Sequence, residues 1–292
     1  MTLLRRMRYA LAPFLLVGLR LWRCVAPQPG GLRILIFHDT LGRKVEELGR
    51  FVSPLADSGC LVSPETAAAR LSAPPEDTAA TAYLLTFDDG LASNLEAARE
   101  LARRGIKAIF FVCPGLVDLA PAEQRQAIAD NIFAGRVRSE ALDPATRLLT
   151  WAEIGEIQKL GHTIGAHGMT HQRLTALSGD ALKTEIERAR SVLEANTGGK
   201  VDWYAYSFGD IDSISAQALR IISQTYAFCR SGVRGLNAAG TGRWALRAEE
   251  IDLLAPASYR ALVSLGGLDM RYRDARRRLD GLLAESPSGM SR

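Results

Sequence analysis

The apolar run at residues 84–87 ends abruptly on two adjacent carboxylates, Asp88 and Asp89, which are followed by Gly90. A short run of this kind is typical of a strand buried in a parallel sheet, which delivers polar side chains at its carboxyl end. Neighbouring strand residues point in opposite directions, so one carboxylate is predicted to bind a cation and the other to transfer protons. Asp-Asp-Gly also occurs in ordinary turns, and this run alone does not separate the two interpretations.

Strand-like and helix-like segments alternate along the chain. Residues 34–37 and 108–112 are predicted strands, and residues 91–104 form a predicted helix with its apolar positions on one face. This alternation predicts an α/β fold, in which a parallel sheet is connected by helical crossovers. Residues 116–146 lack a strand pattern, and we expect helical excursions over the mouth of the sheet there.

Three of the four histidines lie within ten residues, at His162, His167 and His171. On a helical turn or a tight bend, the spacing of four would place the last two imidazoles on one face, about 6 Å apart. Two histidines and one carboxylate make the open site of hydrolytic zinc and of other divalent metals. The alternative is a polar loop with surface histidines. His162 is predicted to lie at a strand edge or behind the site.

These stretches resemble the motifs of the polysaccharide deacetylases, the NodB-homology group also called carbohydrate esterase family four. The family's TFDDG motif stands unaltered at residues 86–90, and its paired-histidine motif matches His167 to His171, with Gly168 where Ser or Thr is usual. The resemblance runs from about residue 33 to about residue 247. Within the family, the chain resembles the poly-N-acetylglucosamine deacetylase-like subgroup. It implies a distorted, incomplete (β/α) barrel with the site at the carboxyl ends of the strands.

The resemblance also implies roles for four residues. Asp89, His167 and His171 match the ligands of a divalent metal, for which zinc is expected and cobalt, nickel or manganese are alternatives. Asp88 matches the catalytic base. The implied reaction is the hydrolysis of an N-acyl bond.

A third motif is less faithful. Residues 203–209 resemble the family's Phe-Ala-Tyr-Pro-Phe-Gly segment, with Ser207 in the place of Pro. The resemblance implies that a backbone N–H near Tyr206 helps to hold the oxyanion. Arg243, in the closing segment, is assigned to substrate contact, and a solvated arginine is the alternative.

The general acid is the main mechanistic question, because many family members carry a late Leu-x-His motif and no histidine follows His171 here. The strand at residues 34–37 ends on His38 and Asp39. A barrel closes on itself, so a first strand can occupy the place that a last strand fills elsewhere. We therefore predict His38 as the general acid, oriented by an acidic neighbour. The alternative is a histidine that only hydrogen-bonds at a strand end.

Both ends of the chain are basic. Arg5, Arg6 and Arg8 precede an apolar run at residues 9–19, which is too short to span a bilayer. A signal-peptide core and a basic amphipathic helix on an anionic membrane both fit this segment. We divide the chain into this N-terminal segment at 1–30, a catalytic domain at 31–270 and a basic tail at 271–292, and we expect a bacterial cell-envelope location in preference to the cytoplasm. The tail is interpreted as a solvated face or a binder of anionic lipid or polymer.

The charge balance does not predict a nucleic-acid partner: 36 basic and 32 acidic residues give a net charge of +4, and no nucleic-acid motif is present. The predicted function is the metal-dependent removal of N-acetyl groups from an amino-sugar polysaccharide. Two rival functions remain at this point. One is deacylation or deformylation of a lipid-linked sugar, and the other is carbohydrate binding without turnover.

Overall fold

The computed structural model describes residues 3–26, 30–73 and 80–285. Within these ranges, seven strands form one sheet in which every strand pair is parallel. The strands are β1 (Gly31–Phe37), β2 (Thr81–Phe87), β3 (Ile109–Val112), β4 (Thr163–Ala166), β5 (Trp203–Ala205), β6 (Phe228–Arg230) and β7 (Ala248–Glu250). Their order across the sheet is β6-β5-β4-β3-β2-β1-β7.

The sheet curls into a nearly closed barrel. In the described part of the chain its two outermost strands, β6 and β7, do not pair with each other, and an isolated parallel bridge joins Arg230 of β6 to Leu246, which precedes β7. One seam of the barrel is therefore unsealed. The prediction of a distorted, incomplete (β/α) barrel is confirmed.

The helices connect successive strands or pack on the barrel. They are α1 (Leu3–Val25), α2 (Arg43–Asp57), α3 (Pro64–Ser72), α4 (Asn94–Arg103), α5 (Pro121–Ala127), α6 (Trp151–Lys159), α7 (Gly179–Lys183), α8 (Ala189–Thr197), α9 (Ala216–Thr225), α10 (Ala257–Ser264) and α11 (Arg273–Ala284). A π-helical turn, Thr184–Arg188, joins α7 to α8. The helix predicted from residue 91 begins later, at Asn94, because Leu91 forms an isolated bridge with Leu148.

The strand period of two separates the apolar residues into two layers. In β1, Ile34 and Ile36 belong to one buried cluster with residues from most of the other strands, which fills the inside of the barrel. Leu35 and Phe37 belong to a second cluster shared with the surrounding helices. Inside the barrel, a Cβ at Gly165 would lie 2.5 Å from the ring of Phe111, so the glycine leaves the space that this ring occupies.

The segment after β3 forms the predicted helical excursions. It contains α5, a π-helical turn at Ile128–Ile132 and two short 3₁₀ turns. The apolar side chains of this segment pack into a small cluster of their own, which includes Leu116, Ile128 and Leu142. The segment follows the carboxyl end of β3, and it therefore lies at the end of the barrel where the candidate site residues are found.

Both terminal helices pack on the barrel. Ala12 and Leu16 of α1 are buried against Leu262 of α10, and Leu279 of α11 is fully buried in the outer layer. Residues 1–2, 27–29 and 286–292, which belong to the predicted terminal segments, lie outside the described residues. In the ranges that the structure describes, no helix combines the length and the apolar character needed to cross a membrane.

Candidate active site

At the carboxyl end of each strand, the next residue in line with the side chains that face the barrel interior lies at the mouth of the barrel. The positions follow from the period of two, counted on from the interior apolar residue of each strand. For example, Ile36 inside the barrel leads to His38, and Phe228 leads to Arg230. Together these positions are His38, Asp88, Cys113, His167, Ser207, Arg230 and Glu250. The mouth is thus a polar ring above an apolar barrel interior.

Asp89, His167 and His171 form a candidate metal site. All three are buried, and their ligand atoms lie within 4.8 Å of one another. Asp89 Oδ1 is 3.5 Å from His167 Nε2 and 3.4 Å from His171 Nε2. The structure therefore brings together all three residues assigned as ligands from the sequence.

The hydrogen bonds of the two imidazoles fit a bound cation. His167 Nδ1 lies 2.7 Å from the carbonyl oxygen of Ala205, and His171 Nδ1 lies 2.9 Å from that of Asn131. A carbonyl only accepts hydrogen bonds, so each Nδ1 carries the proton and each Nε2 turns a lone pair toward Asp89. Three lone-pair donors that converge in a buried space suit a divalent ion.

The charge state of Asp89 fits the same role. Burial alone would raise the pKa of this carboxyl group, but N–H donation from Nε2 of His167 and His171, when these rings carry a second proton, and the nearby His38 hold the pKa well below its ordinary value. Asp89 is therefore ionised at neutral pH and available as a ligand.

The backbone that presents these ligands differs from the predicted one. Asp89 and His171 adopt the left-handed conformation, with φ of 71° and 62°, which is rare for residues other than glycine. Strand alternation was the wrong reason for the divergence of the two carboxylates, since Asp89 lies beyond β2 in a turn. His167 and His171 lie on a bend that follows β4, the second of the two predicted arrangements, and not on a helical turn; their ring centroids are 4.8 Å apart.

Glu185 holds the loop between the two histidines. Its buried carboxylate accepts hydrogen bonds from the backbone N–H groups of Thr170 and Gln172, at 3.0 Å each, and from the Thr170 hydroxyl at 2.9 Å. Gly168 has φ of +80°, and a Cβ there would lie 2.4 Å from Glu185 Oε1. The departure from Ser or Thr at this position therefore coincides with the close approach of Glu185, which the sequence analysis did not identify.

Asp88 pairs with an arginine that the sequence analysis also missed. Arg230 Nη2 donates to Asp88 Oδ1 at 2.5 Å, both side chains are buried, and the guanidinium lies over the ring of Phe111. A signal was present in the sequence: residues 226–229 form a β-rich run that ends on Arg230, the same layout as the strand that ends on Asp88.

His38 lies at the mouth beside an acidic residue, as the prediction requires. Its Nδ1 is 3.9 Å from Glu250 Oε1, and its side chain is 42% exposed. The parallel pairing of β1 with β7 sets this proximity, since Ile36 and Glu250 are in register. The assignment of His38 as general acid stays a prediction, now with Glu250 as the acidic neighbour.

The remaining candidates occupy different surroundings. The Tyr206 side chain is buried and donates to the Gly209 carbonyl, so only its backbone is available to a substrate. Ser207 donates to the carbonyl of His167 at 3.2 Å. The Arg243 guanidinium stacks on Trp244, and the structure does not bring it to the other candidates. His162 is buried between the backbones of Ala98 in α4 and Ala108, which precedes β3, and lies outside the site.

Comparison with known proteins gives one sequence family. The sequence profile described as Polysaccharide deacetylase matches residues 76–227, which is more than half of the 292 residues. No curated protein sequence matches the chain.

Several solved structures share the fold. The Streptococcus pyogenes deacetylase PplD in complex with acetate has a TM-score of 0.64 at 19% identity, over 81% of this chain and 99% of that one. IcaB from Ammonifex degensii has a TM-score of 0.60 at 21% identity, over 82% and 97% of the two chains. A de-N-acetylase from Aggregatibacter actinomycetemcomitans has a TM-score of 0.55 at 17% identity, over 77% and 96%. At these sequence identities, the comparisons show that this chain shares the fold of these proteins.

Proposed function

The chain belongs to the polysaccharide deacetylase family, and from this membership we propose that it hydrolyses N-acetyl groups of an amino-sugar polysaccharide. The observation that carries the proposal is the convergence of Asp89, His167 and His171 next to the Asp88–Arg230 pair at one barrel mouth. N-acetylglucosamine is the proposed sugar. The deacetylase PplD, whose fold is similar, was solved in complex with acetate, which supports acetate as the released acid.

Asp89, His167 and His171 would hold the metal, and zinc is the proposed ion because two imidazoles and one carboxylate are a common zinc set. When bound, the ion supplies Lewis-acid polarisation of the acyl oxygen and lowers the pKa of a water molecule. The carbonyls of Ala205 and Asn131 fix the two imidazole rings, so the ligand set is organised before the ion arrives.

Asp88 is proposed as the base that accepts the proton of the attacking water. Arg230 occupies Oδ1, whereas Oδ2 lies 3.9 Å from His167 Nε2 and faces the metal ligands. The guanidinium thus fixes the carboxylate so that Oδ2 is the oxygen that receives the proton. Positioned proton transfer of this kind contributes roughly a hundredfold or more to the rate.

Two further groups are proposed to act on the acyl bond. A backbone N–H near Tyr206 donates to the oxygen on which negative charge develops. His38 delivers a proton from Nε2 to the leaving nitrogen as the carbon–nitrogen bond breaks, because its Nδ1 faces Glu250. The products are a free amine on the sugar and a carboxylic acid.

The test is acetate release from an N-acetylglucosamine oligomer by the metal-loaded protein. Wild type is compared with Asp88→Asn and His38→Ala at equal metal occupancy. We expect Asp88→Asn and His38→Ala each to lose about a hundredfold or more. Activity lost only in Asp88→Asn would reject His38 as the acid. A metal-loaded wild type that releases no acetate would reject this substrate.

We also propose that the protein works at the surface of a membrane in the cell envelope. The support is α1, which contains five arginines and no acidic residue and exposes many apolar side chains. The same observation favours a lipid-linked sugar as a second candidate substrate, which an assay of polymeric and lipid-linked substrates in parallel would distinguish. The convergence of Asp88, Asp89, His167 and His171 favours catalysis over carbohydrate binding alone.

A further inference from the structure

The N-terminal helix α1 has two apolar faces, and only one of them packs on the barrel. Ala12 and Leu16 are buried against α10, and Leu19 is partly buried beside them. With 3.6 residues per turn, the large apolar residues at the other positions turn away from the barrel. These exposed residues are Leu3, Leu4, Met7, Leu11, Phe14, Leu15, Val17, Leu21, Trp22 and Val25. We call this set the outer face of α1.

The outer face is continuous along the helix, which is about 34 Å long at 1.5 Å per residue. A soluble protein rarely leaves so many large apolar side chains together in water, and such patches mark interaction sites. Exposed arginines border the face at Arg6, Arg8 and Arg20, and the helix contains no acidic residue. We propose that the outer face binds the surface of an anionic lipid bilayer and lies in its headgroup region.

The charges favour lipid over a second copy of this chain. Packing two outer faces together would bring two sets of arginines close to each other without an opposing carboxylate on either helix. An anionic bilayer provides the missing negative charge, and an amphipathic helix with basic borders is suited to it. Trp22 and Phe14 are the kind of side chain that inserts at the boundary between headgroups and acyl chains.

The first turns of α1 lie next to the barrel mouth. Arg5 Nη2 contacts Asp252 Oδ2 at 2.5 Å, and the Tyr9 hydroxyl donates to the same oxygen at 3.2 Å. Asp252 follows Glu250, the neighbour of His38, by two residues. A cavity of about 350 Å³ between α1 and β7 is lined by Glu250 and by the arginines Arg5, Arg8 and Arg234. The docked bilayer would therefore lie beside the His38–Glu250 sector of the mouth.

This orientation deepens the proposed function and rests on it: the substrate is a glycan held close to an anionic membrane surface. The protein would bind the bilayer through α1 and present its mouth to sugar residues near the headgroups. Long polymer far from the membrane would be reached less often. Membrane docking and the hydrolytic site remain separate parts of the chain, which makes them separable by experiment.

The first experiment measures binding of the full chain to phosphatidylglycerol–phosphatidylcholine vesicles by co-sedimentation. Leu11→Glu/Phe14→Glu places two charges on the outer face and should weaken binding at least tenfold, since burial of each side chain is worth that order of affinity. Met270→Glu is the matched control: Met270 is 79% exposed but lies outside α1, and its binding should equal that of wild type. A blue shift of tryptophan emission with vesicles that is lost in Trp22→Phe gives an independent readout, since the chain contains four tryptophans.

Three results would overturn the docking proposal. One is a wild type that does not sediment with the anionic vesicles. Another is equal binding by wild type and Leu11→Glu/Phe14→Glu. The last is a vesicle-free wild-type dimer that this double variant converts to a monomer without any vesicle binding, because the outer face would then belong to a second copy.

The second experiment compares one N-acetylglucosamine oligomer, free in solution or attached to a lipid in anionic vesicles. Wild type and Leu11→Glu/Phe14→Glu should release acetate equally from the free oligomer, and wild type should be at least tenfold faster on the tethered one. Equal rates on the tethered oligomer would reject the orientation. Failure on the free oligomer would instead count against the proposed function, while sedimentation would still decide the docking.

Discussion

The barrel and the N-terminal helix use the same apolar residue types in opposite ways. Phe87 in β2 is fully buried, whereas Phe14 in α1 is 76% exposed; Trp203 is 3% exposed and Trp22 59%. Among the described residues, large exposed apolar side chains outside α1 are few: Leu41, Leu254 and Met270. The barrel buries most of its large apolar side chains in its own core. The helix leaves its outer face exposed, and this exposure is the basis of the docking proposal, whereas the barrel holds the candidate site residues.

The largest effect should separate catalysis from docking. His171→Ala, or removal of metal from wild type with a chelator, should lower acetate release on the order of a thousandfold or more, because the ion supplies several kcal/mol of stabilisation. Vesicle sedimentation should not change, because α1 contains none of the ligands. Restored activity on adding zinc back to wild type, but not to His171→Ala, is the control. Unchanged acetate release by His171→Ala would remove His171 from the site.

The next prediction compares two phenylalanines by stability. Phe87 stacks on Phe110 with ring centroids 4.6 Å apart, and Phe87→Ala should lower the free energy of unfolding by about 3–5 kcal/mol. Phe14→Ala should change it by less than about 0.5 kcal/mol, as for an exposed residue. Urea unfolding without vesicles measures both. A large loss in Phe14→Ala would mean that the outer face is covered within the protein itself.

A smaller effect, on metal affinity, is expected from replacing Glu185, which holds the loop between His167 and His171. Glu185→Gln keeps the shape of the side chain but weakens three hydrogen bonds to the loop, so the metal affinity should fall about 10- to 100-fold. Glu187→Gln, on the exposed side of the same π-helical turn, is the matched control. Metal titration by calorimetry distinguishes them, and equal affinities would assign Glu185 a purely structural role.

The smallest predicted effect is a pH dependence of stability that arises from the pair formed by Arg147 and Glu153, outside α1. The hydrogen bonds from Arg147 are the main cause that lowers the pKa of Glu153 to about 2 from an ordinary value of 4.5. A depressed carboxyl pKa stabilises the fold above the unfolded-state pKa, and this stabilisation disappears as the pH falls from about 4.5 toward 2. Glu153→Gln should remove this part of the acid sensitivity, and Glu123→Gln in α5 should not. Thermal midpoints between pH 7 and pH 3 measure the difference, and parallel curves for Glu153→Gln and wild type would contradict it.

The sequence predicts the parts of the site that depend on local order. A strand that ends on Asp88 and a loop that contains His167 and His171 can be recognised from neighbouring residues alone. The pairing of Arg230 with Asp88 spans 142 positions and depends on how the barrel curls. Glu185 lies within a helical pattern, and its role appears only in the tertiary hydrogen bonds to Thr170 and Gln172.

The outer face of α1 escapes prediction for a different reason. The sequence shows an apolar run with arginines, but it does not show which side of the helix meets α10. That choice depends on tertiary packing, because Ala12 and Leu16 are no more apolar than Phe14 or Leu15. The signal-peptide and amphipathic-helix interpretations could therefore not be separated from the sequence.

The place of β7 beside β1 has a consequence for biosynthesis. Arg33 in β1 and Glu249 in β7 form a buried ion pair between residues 216 positions apart, and the same pairing brings Glu250 to His38. A ribosome makes β1 before β7, so a growing chain holds His38 without Glu250 until β7 has been made. The mouth is completed only when β7 has joined β1, so a chain that lacks β7 cannot place the acidic neighbour Glu250 beside His38.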